Sequence, residues 1–151
     1  MNILDVLNPQ AVKVPLEARD KQSAIAELVD LLAEAGLVSN PAKLKSVVWE
    51  REQQRSTGIG EGLAIPHGKS DCSSRLVMAL GRPAEPIDFN SVDKRPVKLV
   101  VLLASPPDKT ADHIQALGKI SRLMSNPEFR EATYDADSAE TLYELFRNAE
   151  Q

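Results

Sequence analysis

Hydrophobic positions first fall into a helical rhythm between Lys21 and Ala35, where Ile25, Leu28, Val29 and Leu32 share one face. Asp20 stands ready as its N-cap and Gly36 as its stop. The same spacing returns after Asn40, a cap followed by Pro41 at the first helical position. There Leu44, Val47, Val48 and Arg51 form a stripe. The rhythm then breaks at a glycine-rich stretch and resumes as two strands, Leu76 to Leu80 and Val97 to Ala104. The second is almost unbroken Val and Leu, the pattern of a strand covered on both faces. Pro83, Pro86 and Asn90 mark loops between them.

Ser105-Pro106-Pro107-Asp108 interrupts the chain again. The pattern beyond it predicts a helix from near Ala111, capped by Thr110 or Asp108, that buries Ile114, Leu117, Ile120 and Met124. Asn126-Pro127 restarts a short helix through about Thr133. Asp137 to Glu140 has capping-box spacing ahead of a last helix with Leu142, Leu145 and Phe146. A strand over Val12 to Leu16 would be confined to a sheet edge by Pro15. Hydrophobic strands with helices to both sides place the chain in the α/β class.

A chain of 151 residues is expected to form one domain, spanning 1–151, with a core of its own. Hydrophobic residues at 42% and charged residues at 26% are ordinary for a globular protein. The net charge of −4 argues against nucleic acid or an anionic membrane as the main partner. A single cysteine, Cys72, allows no intramolecular disulfide and suits a reducing compartment. Met1 to Pro9 lacks the basic and apolar segments of a signal peptide, and no apolar run approaches the roughly 18 residues of a membrane helix. A cytoplasmic location without membrane insertion is expected.

The glycine-rich stretch holds the candidate chemistry. Ser56-Thr57-Gly58-Ile59-Gly60-Glu61-Gly62-Leu63-Ala64-Ile65-Pro66-His67-Gly68-Lys69 carries one of the chain's two histidines near its end. Glycine permits unusual backbone conformations, and Pro66 fixes its own φ and restrains Ile65. Such a segment can present an imidazole, a nucleophile that titrates near neutrality. Gly62 to Ser70 resembles a Walker A loop, but five residues separate Gly62 and Gly68 where that motif has four. Gly58-Ile59-Gly60 lacks the third glycine of a dinucleotide fingerprint, since Leu63 stands there. His67, His113, Asp71, Cys72 and Asp112 show no metal-ligand spacing, so no metal is expected. There is no Gly-x-Ser-x-Gly elbow, and Cys72 reads as a small thiol without a nucleophilic role.

Three other groups join His67. His113 falls early in a helix, Arg51 closes the second helix, and Ser56 and Thr57 open the loop. A histidine, a guanidinium and several donors converging on one small anion suit phosphoryl transfer, which depends on positioning and on stabilising the equatorial oxygens. Taken singly, each residue has a plainer reading. His67 fits a turn, His113 a solvated helix start, Glu50-Arg51-Glu52 a charged helical face, and Thr57 a loop satisfier.

As a group these residues resemble the type-2 IIA proteins of the bacterial phosphoenolpyruvate-dependent phosphotransferase system, the fructose, mannitol and nitrogen-regulatory family. Glu52, Ile59, Gly60, Leu63, Ala64, Ile65, Pro66, His67 and Gly68 fit its signature without exception. Pro86-Ile87-Asp88-Phe89, Asp93 with Pro96-Val97, and the Pro-Pro-Asp stretch before His113 are also similar to the family. The resemblance implies a mixed central sheet flanked by helices on both sides, and a phosphotransferase that uses no metal, nucleotide or other cofactor in the transfer step. It implies that His67 is phosphorylated by the histidine carrier protein HPr or its nitrogen-branch homologue. It further implies that Arg51 holds the phosphoryl oxygens and that His113 sits beside the active ring. Thr57, Gly58 and Gly68 are expected to help bind phosphate. The run from Ser56 to Lys69 looks most like nitrogen-regulatory IIA proteins, whose phosphorylation state tunes protein partners. The alternatives are a fructose- or mannitol-type component that relays phosphate to a IIB domain, and a regulatory binding module independent of phosphorylation. No membrane domain or second phosphotransferase domain is expected beside the motif, and sugar transport is then expected to need separate partner chains.

Overall fold

A computed structural model describes residues 2–150. After a single 3-10 turn, β1 (Leu7–Leu16) is followed by the helices α1 (Lys21–Glu34) and α2 (Pro41–Gln54). Three short strands come next: β2 (Gly58–Gly60), β3 (Leu63–Ala64) and β4 (His67–Lys69). Two long strands, β5 (Val77–Pro83) and β6 (Leu99–Ser105), precede α3 (Thr110–Met124), α4 (Pro127–Asp135) and α5 (Ala139–Ala149).

The sheet is open and mixed, with strand order β1-β5-β6-β3-β2, and β4 also pairs with β6. β1 runs parallel to β5, while β3 and β4 run parallel to β6. The β5–β6 and β2–β3 pairs are antiparallel. The expectation of an α/β domain with a mixed sheet between helices is met. β6 is buried along its whole length, as its run of Val and Leu implied. Its side chains alternate between two cores. Val100, Leu102 and Ala104 pack with Ile25, Leu28 and Leu44 on the α1–α2 side. Leu99, Val101 and Leu103 pack with Ile120, Leu142 and Phe146 on the other.

The first two helices form as their caps dictate. The Asp20 carboxylate accepts the Ser23 amide, and the Asn40 side chain accepts the Lys43 amide ahead of Pro41. β1 lies at the sheet edge, as Pro15 requires, although it begins earlier, at Leu7. Three details differ from the expectation. α3 is preceded by Lys109 with no side-chain cap, so neither Thr110 nor Asp108 serves that role. Its buried face is His113, Ala116, Ile120 and Met124, while Ile114 is 62% exposed. α5 is capped by Ser138, which accepts the Thr141 amide, instead of by Asp137. No helix among the described residues is long and apolar enough to cross a membrane.

Candidate functional site

The glycine stretch is not a free loop. Its middle turns sharply with φ of +108° at Gly60, +57° at Glu61 and +87° at Gly62. Only glycine adopts such values cheaply, and Glu61 is held there by outside partners. Its amide donates to Asp93 Oδ2 at 2.9 Å, and the Tyr134 hydroxyl donates to its carbonyl. Beyond the turn β3 joins β6, Pro66 interrupts, and β4 joins β6 again, with His67 opposite Leu103. The Leu103 amide donates to the Pro66 carbonyl at 3.0 Å. His67 is therefore anchored to the central buried strand.

The ring is oriented as firmly as the backbone. His67 Nδ1 lies 2.9 Å from the Ile65 carbonyl oxygen. A carbonyl only accepts, so Nδ1 carries the proton and the lone pair belongs to Nε2. Burial, foremost, keeps the His67 pKa below its ordinary value. The bond to Ile65 and the charge of Glu52 oppose the shift, while the charges of Arg51 and Lys69 reinforce it.

His113 projects from the first turn of α3 and is 4% exposed, which removes its reading as a solvated helix-start residue. Its ring meets that of His67 edge to face, with centroids 5.0 Å apart and planes at 66°. Nδ1 of His113 lies 3.1 Å from Ser105 Oγ, at the end of β6. Burial pushes its pKa down to about 4, helped by His67 and Lys69. Lys69 is tied across to α3 by donating to Thr110 Oγ1 at 3.1 Å.

Arg51 and His67 line one cleft of about 380 Å³, together with Arg55, Ser56 and Thr57. One Arg51 nitrogen, Nη1, donates to the Arg55 carbonyl at 2.9 Å. That bond fixes the planar head and leaves further donors of the guanidinium for a ligand. Ile59 and Val92, 51% and 76% exposed, give the cleft an apolar rim. A larger hollow of about 460 Å³, lined by Asp88, Asn90, Ser91, Lys94 and Pro96, holds none of the groups singled out from the sequence.

Of the three expected phosphate binders, Thr57 and Gly58 make hydrogen bonds within the protein, and Gly68 packs closely on α2. Thr57 is buried and directs both its amide and its hydroxyl to Glu52. The Gly58 amide donates to Ser56 Oγ at 3.0 Å, and a Cβ at this position would fall 2.2 Å from Ser91 Oγ. A Cβ on Gly68 would lie 2.9 Å from Val47 Cγ1 and 3.0 Å from Val48 Cγ2. Gly58 and Gly68 thus allow close packing, and Thr57 ties the loop to α2. Glu52 was expected on a solvated face and instead is 1% exposed. Its position two turns beyond Leu44 and one beyond Val48 was the available signal, because i, i+4 and i+8 share a helix face. Ser105, which meets His113, had no comparable signal.

Residues 5–149 match the sequence model of the phosphoenolpyruvate-dependent sugar phosphotransferase system, EIIA 2. The chain is 34% identical over 145 residues to a nitrogen regulatory protein of Bradyrhizobium diazoefficiens, covering 96% of this chain and 94% of that one. It is 32% identical over 145 residues to the fructose-specific EIIABC component of Bacillus subtilis, covering 96% of this chain. It spans only 23% of that longer protein. Its fold superposes on the crystal structure of the nitrogen regulatory protein IIA-Ntr from Neisseria meningitidis with a TM-score of 0.85 and 29% identity, over 94% of this chain and 97% of that one.

Proposed function

The chain belongs to the EIIA 2 family of the phosphoenolpyruvate-dependent sugar phosphotransferase system, and on that footing we propose that it is a cytoplasmic phosphocarrier that accepts a phosphoryl group on Nε2 of His67. The donor is phosphorylated HPr or its nitrogen-branch homologue. The observation that carries this reading is the 2.9 Å bond from His67 Nδ1 to the Ile65 carbonyl. It leaves a lone pair on the opposite edge of the ring, and His67 lines a cleft together with Arg51.

In the transfer, the Nε2 lone pair forms the new N–P bond as the N–P bond to the donor imidazole breaks. The electron pair of the broken bond returns to the donor ring. The His67 ring becomes a phosphorylated imidazolium, and its Nδ1 keeps its proton, still donated to the Ile65 carbonyl. Arg51 stabilises the equatorial oxygens of the group in flight. His113, neutral at physiological pH, steadies the acceptor ring. When Nε2 of His113 holds its proton, it also offers that proton to a phosphoryl oxygen. The apolar rim of Ile59 and Val92 offers the carrier a dry contact around the reacting atoms.

A regulatory, nitrogen-type role is favoured by the similarity to nitrogen regulatory proteins along nearly the full length of both chains. A regulated protein would then read the state of His67. The second reading, relay to a IIB domain in sugar uptake, draws on the fructose-specific relative. Incubation with phosphoenolpyruvate, enzyme I and the cognate HPr tests the core reading. The expected product is an acid-labile, base-stable phosphoprotein, absent from a His67→Ala variant. Label retained in that variant overturns the assignment. Donation of the label to a IIB domain from the same host decides for the sugar branch.

A further inference from the structure

We propose that Glu52 is a positioning residue for the phosphoryl acceptor, holding Thr57 and, through Thr57 and Ile65, keeping His67 in the tautomer whose Nε2 is nucleophilic. Its effect on transfer rate rests on the phosphocarrier reading above; its effect on the tautomer does not.

The side chain is 1% exposed on α2, directly after Arg51. A buried carboxylate is costly unless donors fill its lone pairs. Here the Thr57 amide donates to Oε2 at 3.1 Å and the Thr57 hydroxyl to Oε1 at 2.5 Å. Lys21 Nζ stands 3.7 Å from Oε2, over the Trp49 ring at 5.9 Å from its centroid. These partners are all donors, so the site suits a side chain that only accepts. The relay continues from Thr57. Its carbonyl accepts the Ile65 amide at 3.1 Å, and the Ile65 carbonyl accepts His67 Nδ1 at 2.9 Å.

The relay passes through a break in the sheet. β3 ends at Ala64, β4 begins at His67, and Pro66 between them has no amide to donate. Ile65 therefore sits outside both strand pairings, and the Thr57 carbonyl holds its amide in place. A buried carboxylate is poor support for stability when compared with apolar packing. Its use on a single loop residue beside the acceptor points to alignment. Arg51 and Glu52 then divide the work from one turn of α2, the first toward the phosphoryl group and the second toward the ring that receives it.

The test compares the wild type with Glu52→Gln and Thr57→Val by two measurements. Imidazole nitrogen NMR at neutral pH reports the His67 tautomer without any donor present. Single-turnover phosphorylation from phospho-HPr reports rate against donor concentration. The wild type is expected to show protonated Nδ1 and unprotonated Nε2. Both variants are expected to show mixed tautomers. Their maximal rate should fall about tenfold or more, with little change in the donor concentration at half-maximal rate. Folded variants that keep the wild-type tautomer and rate overturn the proposal. If Glu52→Gln does not fold, Thr57→Val decides alone, since it keeps the carboxylate and its bond to the backbone. A wild type that takes no label at His67 sinks the phosphocarrier reading, while the NMR comparison still decides the role of Glu52.

Discussion

The rings of His67 and His113 meet edge to face at 5.0 Å, and His67 disfavours a charge on His113. Burial lowers the pKa of both, to about 4 for His113. At neutral pH the pair is therefore uncharged. One ring holds a lone pair for attack, and the other is available as a neutral hydrogen-bonding neighbour.

The acceptor must be unprotonated to react, so the maximal rate of phosphoryl acceptance should be flat near pH 7. It should fall on acidification, with a midpoint below the ordinary histidine value of about 6.5. The Arg51 charge contributes to the downward shift. Arg51→Ala should move the acid limb toward higher pH while lowering the plateau. Single-turnover rates between pH 5 and 8 in both proteins provide the check.

His113 should make the fold sensitive to acid. Its folded pKa of about 4 lies below the unfolded value, so its contribution is complete above about pH 6.5 and is lost as pH falls through 4. The linkage amounts to at most about 3 kcal/mol. Urea unfolding at pH 7 and pH 4.5 should show the loss in wild type. A His113→Gln variant, which has no proton to gain there, should show a smaller difference between the two pH values.

Arg51→Ala should separate chemistry from folding. The phosphorylation rate is expected to drop about a hundredfold, the usual scale for one lost donor at developing charge. Unfolding free energy should change by less than about 0.5 kcal/mol, because the guanidinium is partly exposed and its intramolecular bond is to the Arg55 carbonyl. Rapid-quench kinetics and denaturant melts on the same preparation measure the two effects.

Gly68→Ala should act in the opposite way, through the fold. The added methyl would press on Val47 and Val48 where β4 packs on α2, costing about 1–3 kcal/mol. Tyr134→Phe should cost about 1 kcal/mol by removing the hydroxyl that holds the Glu61 carbonyl. Denaturant midpoints report both.

Elements with strong local signals were legible in the sequence. Asp20 and Asn40 start their helices by satisfying amides that any helix leaves open, Pro41 by lacking one, and β6 reads as buried because no polar residue falls between Leu99 and Ala104. α3 was misread by one position. Its apolar residues include Ile114 and Leu117, but the helix turns His113 and Ala116 inward, where Ser105 and the His67 ring receive the imidazole. A polar residue buried for the sake of partners far away in the chain leaves no hydrophobic mark. Short strands are hidden for a similar reason. β2, β3 and β4 have two or three residues each, too few for any periodicity; β3 and β4 form by pairing with β6, and β2 by pairing with β3. His67, Arg51 and His113 could be nominated from chemistry and resemblance. The bonds that aim them, through Glu52, Thr57, Ile65 and Ser105, depend on tertiary contacts.

Seating His67 opposite Leu103 on the central strand has an entropic consequence for any partner. A docking protein need not freeze a wandering loop before it can engage the reactive ring. A phosphorylated His67 would then present nearly the same shape, with a compact anionic phosphoryl group added at a fixed point. Discrimination between the phosphorylated and free forms must come from the partner's own placement of cations or carboxylates around that point, and it should weaken as ionic strength rises.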